Sequence, residues 1–162
     1  MEEWMDLPGY PGYEASDQGR IRNERGWILG TTQIEGARPF VALSTNGRQV
    51  QRGLALLICQ TFLETPRADF NTPIHLDGDL ANCRVSNLAW RPRWFALKHT
   101  RQFRLNLGES GAVRNIDTGI VYKTIWDVVF TFGVLYNEVV KSIINKTWVF
   151  PIYHRFEWID PE

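Results

Sequence analysis

The sequence predicts an α+β protein in which a small antiparallel sheet comes first, a ββα core follows, and a two-helix unit closes the chain. Three patterns predict this. Turn dipeptides punctuate the first fifty residues, a helical period replaces strand alternation after Gly53, and a capped apolar run broken at Gly133 precedes a second helical run. At 162 residues, with 44% hydrophobic and 13% aromatic side chains, the chain is long enough to bury a core without covalent staples.

Pro8-Gly9, Pro11-Gly12, Gln18-Gly19, Arg25-Gly26 and Asn46-Gly47 each supply turn residues. Between them Arg20-Ile21-Arg22, Trp27-Ile28-Leu29 and Phe40-Val41-Ala42-Leu43 read as strands of one small sheet, with Trp4, Tyr10 and Tyr13 over one face and Asn46-Gly47 as a hairpin tip. Leu54, Leu57, Ile58 and Phe62 recur at helical spacing between Gly53 and Leu63, and Pro66 bars any continuation. A short strand carries Ile74-His75-Leu76, the Asp77-Gly78 turn reverses the chain into a second strand, and a helix runs from Pro92 to Arg104.

The polar, glycine-bearing stretch 105–111 reads as a linker. Beyond it a hairpin turns at Asp117-Thr118-Gly119. Thr124 with Asp127 three residues on forms a helix start close to a capping box for Ile125 to Phe132, and a second helix covers Tyr136 to Ile144. That layout is a helix-turn-helix, closed by a strand from Tyr153 to Ile159. The organisation expected is therefore 1–50, 51–104, a linker 105–111, and 112–162.

Net charge is zero, which by itself speaks against a nucleic-acid partner, but charge is distributed in blocks. Residues 1–50 carry five basic and seven acidic side chains, 51–105 eight and four, and 106–162 five and seven. Arg91, Arg93, Lys98, Arg101 and Arg104 form a stripe with no acid among them, a pattern that suits phosphate contact as well as a solvated helix face. Cys59 and Cys83 have no C-x-x-C spacing, so neither a disulfide framework nor a zinc site is expected. No apolar run reaches the length of a membrane span and the opening residues lack signal-peptide character, so a cytoplasmic setting with no membrane partner is the expectation.

Three stretches taken together resemble the HNH homing endonucleases of phage and intron type. Glu3-Trp4-x-x-Leu7-Pro8-Gly9-Tyr10-x-Gly12-Tyr13-Glu14-x-Ser16-x-x-Gly19-Arg20-Ile21-Arg22 resembles the family's amino-terminal NUMOD4 module. His75 followed by Asp77-Gly78 and Arg84-x-x-Asn87-Leu88-x-Trp90 resembles the HNH (ββα-metal) segment, and Thr118 to Val134 with Tyr153-x-x-Phe156-x-Trp158 resembles its carboxy-terminal helix-turn-helix.

The resemblance implies a general base at His75 and a residue steadying it at Asn87. It also implies ligands for one divalent cation at the positions of Ile74 and Ala96, whose side chains offer no donor. Ala55 stands where the family's preceding helix usually carries a histidine, and Leu135 where a Ser or Thr cap is usual. The core is thus a degenerate one, from which no metal is expected unless Asp77, Asp79 or His99 supplies ligands. Asp77 and Asp79 flank Gly78 and read first as turn formers, His99 as a surface residue, and His75 as a structural residue bonded to the chain.

Three functional readings stay open. The first is a nuclease-inactive DNA-binding protein using Arg20, Arg22, Arg84, Arg91, Arg93, Lys98, Arg101 and Arg104 on double-stranded DNA. The second is an active endonuclease dependent on Mg²⁺ or Mn²⁺. The third is a phage-encoded inhibitor that binds a host or competitor protein partner. Near-zero net charge and a second helix presenting Asn137, Glu138 and Lys141, poor in base-reading cations, favour the third; the missing ligands favour the first.

Overall fold

The computed structural model describes residues 1–160. It is a mixed structure of short antiparallel strands and four helices, divided into two units, 1–96 and 97–162.

In the first unit, strands β1 (Trp4–Asp6), β2 (Tyr13–Ser16) and β3 (Ile21–Asn23) form an antiparallel sheet in that order. Strands β4 (Phe40–Thr45) and β5 (Arg48–Gly53) form a separate hairpin, with Thr45 opposite Arg48 across the Asn46-Gly47 turn. Both turn residues take positive φ, the conformation an Asn-Gly hairpin tip requires. The amino-terminal strands are thus two sheets rather than one. Trp27-Ile28-Leu29 forms only a bridge from Ile28 to Arg22, and Trp27 is left 74% exposed because no strand comes to cover it. Trp4 receives the guanidinium groups of Arg22 and Arg20 at 4.2 and 5.7 Å from its ring.

Helix α1 (Leu54–Phe62) buries Leu54, Leu57 and Ile58 on one face, each worth roughly 1.5–3 kcal/mol of apolar transfer. Strands β6 (Thr72–His75) and β7 (Leu88–Arg91) then pair antiparallel, placing His75 opposite Leu88 and Ile74 opposite Ala89. Helix α2 (Arg93–Gln102) follows directly, so the middle of the chain is a ββα element as expected. The division between the two units falls within α2, and 1–50 belongs to the same unit as the ββα strands.

The second unit has a sheet of β8 (Val113–Asn115), β9 (Val121–Tyr122) and β10 (Phe156–Trp158), with β8 in the middle. Helices α3 (Ile125–Phe132) and α4 (Tyr136–Asn145) are separated by three residues. Thr124 and Asp127 make a full reciprocal capping box at the start of α3, and Gly133 closes it in the left-handed conformation. Val113, Ile125, Val128, Val139 and Phe156 lie at the centre of this unit's core.

Leu135 provides no side-chain cap for α4. The substitute is Gln102, 5% exposed, whose side-chain oxygen accepts from the Tyr136 N–H at 2.9 Å while its nitrogen donates to the Val134 carbonyl at 3.2 Å. An amide from a different helix therefore satisfies the orphan N–H of the first helical position, a different one from the second- or third-position N–H that a Ser or Thr at 135 would serve. Among the described residues no helix is long and apolar enough to cross a membrane.

Candidate functional site

The chain around His75 is shaped by a tight turn. The Gly78 N–H donates to the His75 carbonyl at 3.0 Å with Gly78 at φ 78°, and the Leu76 N–H donates to the Asn87 carbonyl at 2.8 Å. Asn87 is the hub of this turn. Its side-chain oxygen accepts from the Asp77 N–H at 3.0 Å, and its nitrogen donates to the Asp77 carboxylate at 2.9 Å and the Asn82 carbonyl at 2.8 Å. Asn87 thus steadies the loop that follows His75 and makes no bond to the imidazole.

Asp77 is correspondingly occupied. One carboxylate oxygen accepts from the Asp79 N–H at 2.9 Å and from Asn87, and the other accepts from the Asn82 amide at 2.8 Å. These hydrogen bonds hold its carboxyl below the usual range even though burial opposes them. Asp79 accepts from the Ala81 N–H, so both aspartates serve as turn formers.

His75 is 2% exposed, and the Cys83 Sγ lies 3.7 Å from its Nε2. The ring meets the chain through Nε2 and the Cys83 Sγ, while Nδ1 has no hydrogen-bond partner among the described residues. Ile74 and Ala96, at 0% and 1% exposure, have side chains that offer no donor or acceptor. Burial, with Arg38 as the second cause, pushes the imidazole down to about 4 against the opposing pull of Asp77 and Asp79. Burial likewise pushes the Cys83 thiol up to about 11, so the pair stays neutral and unreactive near neutral pH.

Arg38 is the neighbour that sequence reasoning missed. It lies in the irregular stretch before β4, in the run Gly36-Ala37-Arg38-Pro39-Phe40, and burial lowers its pKa. A lone cation set against a proline and an aromatic was the available signal, and nothing local connected it to a histidine 37 positions later.

The candidate DNA-contacting cations fall into distinct environments. Arg20 and Arg22 are paired with Glu2 and Glu14. Arg91 is buried at 9% exposure, its Nη1 donating to the Trp90 carbonyl at 2.7 Å, and burial pushes its guanidinium down to about 10. Arg84, Arg93, Lys98, Arg101 and Arg104 are exposed. His99, expected at the surface, is 1% exposed and set edge-on against Phe103 at 5.1 Å between ring centroids, because it lies on the inward face of α2.

Residues 2–37 match the NUMOD4 motif. An uncharacterised HNH endonuclease of Acanthamoeba polyphaga mimivirus is 28% identical over 90 residues, a match covering 56% of this chain and 27% of that protein. The structure of the HNH homing endonuclease I-HmuI, described for its DNA binding and cleavage, superposes with a TM-score of 0.56 at 18% identity and covers 99% of both chains. The chain thus carries a NUMOD4 motif at its amino end and resembles an HNH endonuclease in sequence and an HNH homing endonuclease in fold. The chain spans about a quarter of the length of the curated relative it matches.

Proposed function

We propose that this chain is a DNA-binding protein on an HNH homing endonuclease scaffold that does not hydrolyse the phosphodiester backbone. One observation carries the second half: the two positions from which the family would ligate its cation are Ile74 and Ala96, both sealed from solvent. Hydrolysis of a phosphodiester needs a centre of positive charge to stabilise the pentavalent phosphorus and the leaving oxygen, and imidazole alone does not supply it.

Mg²⁺ and Mn²⁺ require oxygen-rich, near-octahedral coordination, and the residues present do not fit them. The Asp77 carboxylate is committed to the turn, and His99 is turned inward against Phe103. Among the described residues no cluster of three or more His, Cys, Asp or Glu side chains is placed to hold an ion. A histidine with pKa about 4 is also a weak proton acceptor, well below the value that suits general-base work near neutral pH.

The likeness to HNH endonucleases and the exposed cations support the binding half. Arg93, Lys98 and Arg101 are exposed along α2 with no acid between them. Arg84 and Arg104 add to this set, whereas Arg20 and Arg22 are already matched by carboxylates and Arg91 is buried. Binding through phosphates falls steeply with salt, each contact contributing about 0.9 to the log–log slope. A gel-shift series on random duplex across salt concentrations tests this. Replacing Arg93, Lys98 and Arg101 together with alanine is expected to weaken binding and flatten the slope, and unchanged affinity would remove α2 from the interface.

A further inference from the structure

A groove of about 290 Å³ lies within the second unit, between the carboxyl half of α2 and the start of α4. Its floor is Leu105, Leu107 and Leu135, and Leu105 is 55% exposed. Its rim carries Lys98 and Arg101 from α2 and Lys141 from α4, against a single carboxylate, Glu138, which is paired with Lys141 at 2.9 Å. Gln102 fixes the groove's shape, since its amide ties α2 to the backbone on both sides of Leu135 and leaves neither polar atom idle.

A leucine floor beneath a cationic rim has two requirements. The floor favours an apolar side chain, because exposed apolar surface gains about 25 cal/mol per Å² when covered. The rim, with three cations to one acid, favours carboxylates beside that anchor. A sugar-phosphate backbone answers the rim and leaves the leucines wet, whereas an acidic peptide with an apolar anchor answers both. We propose that this groove docks an acidic segment of a protein partner carrying a leucine-sized anchor, and that the docked segment competes with DNA for Lys98 and Arg101. The docking stands on the groove itself; the competition rests on the DNA-binding reading above.

The test uses the full chain and a labelled synthetic peptide of two adjacent leucines flanked on each side by glutamates, followed by fluorescence anisotropy. Saturable binding is expected, weakened about tenfold or more by Leu105→Asp and by the double reversal Lys98→Glu/Arg101→Glu. Leu105 is exposed, so its substitution leaves the fold standing, which circular dichroism checks. A peptide with serines in place of leucines should not bind.

No saturable binding, equal binding of the serine peptide, or indifference to Leu105→Asp overturns the docking. Loss of duplex affinity in Leu105→Asp with peptide affinity unchanged makes the groove a nucleic-acid site and overturns it too. In a second titration the unlabelled peptide should displace labelled duplex. Peptide binding without displacement overturns the competition, and a duplex that never binds overturns the DNA-binding reading while the peptide titration still decides the docking.

Discussion

Gly19 lies directly against the backbone of Cys83: a Cβ added at Gly19 would sit 2.7 Å from the Cys83 carbonyl oxygen and 2.8 Å from its carbon. Gly19 also has φ +84°, a conformation that side-chain-bearing residues rarely take. Two residues away, the Val85 N–H donates to the Asp17 carbonyl at 2.9 Å. The NUMOD4 segment therefore grips the loop after His75 through backbone contacts on both sides of Arg84, and only the absence of a side chain at Gly19 permits the approach.

Gly19→Ala is accordingly expected to destabilise the protein by about 2 kcal/mol or more, since backbone strain and a clash with immobile backbone add. Gly9→Ala is the control, having a similar φ of +79° but nothing within 4 Å of the added carbon, and should cost about 1 kcal/mol. Urea unfolding of the two variants beside the parent measures the difference, and equal losses would mean the close approach carries no weight.

Gln102→Leu keeps the volume roughly constant while leaving the Tyr136 N–H and Val134 carbonyl without their partner. A loss of about 1–3 kcal/mol is expected, the cost of buried polar groups left unsatisfied. Hydrogen exchange at the Tyr136 amide should accelerate with it.

His75 gives the protein a defined acid response. Its folded pKa of about 4 lies below the ordinary value of 6.5, so the unfolded chain binds a proton that the folded chain refuses. The stability this represents is present above pH 6.5 and is lost as pH falls from there through about 4, amounting to roughly 3 kcal/mol at most. Asp77, whose carboxyl is held low, loses stability in the same direction at still lower pH. His75→Leu should flatten the stability profile between pH 6.5 and 4, measured by denaturant midpoints, and an unchanged profile would show the ring to be solvated.

What the sequence made legible was local. The Thr124-Asp127 capping box, the Gly133 stop, the Asn46-Gly47 hairpin and the His75 strand all rest on residues a few positions apart, where turn and cap chemistry acts directly. The relationships that were not legible span long separations. Gln102 caps a helix 34 residues on, Arg38 lowers the pKa of His75, and nothing in its own neighbourhood shows that Arg91 is buried while Arg93 is exposed. Alternation suggested a strand at Trp27-Ile28-Leu29, but a strand needs a partner along its edge, and that partner exists only as the bridge to Arg22.

The proposed lack of nuclease activity is tested most directly by incubating the purified chain with supercoiled plasmid in Mg²⁺ and in Mn²⁺, with His75→Ala in parallel. The account predicts binding that is the same with chelator as with metal, and no nicking above the His75→Ala background. Metal-dependent nicking that disappears in the His75→Ala variant would contradict it.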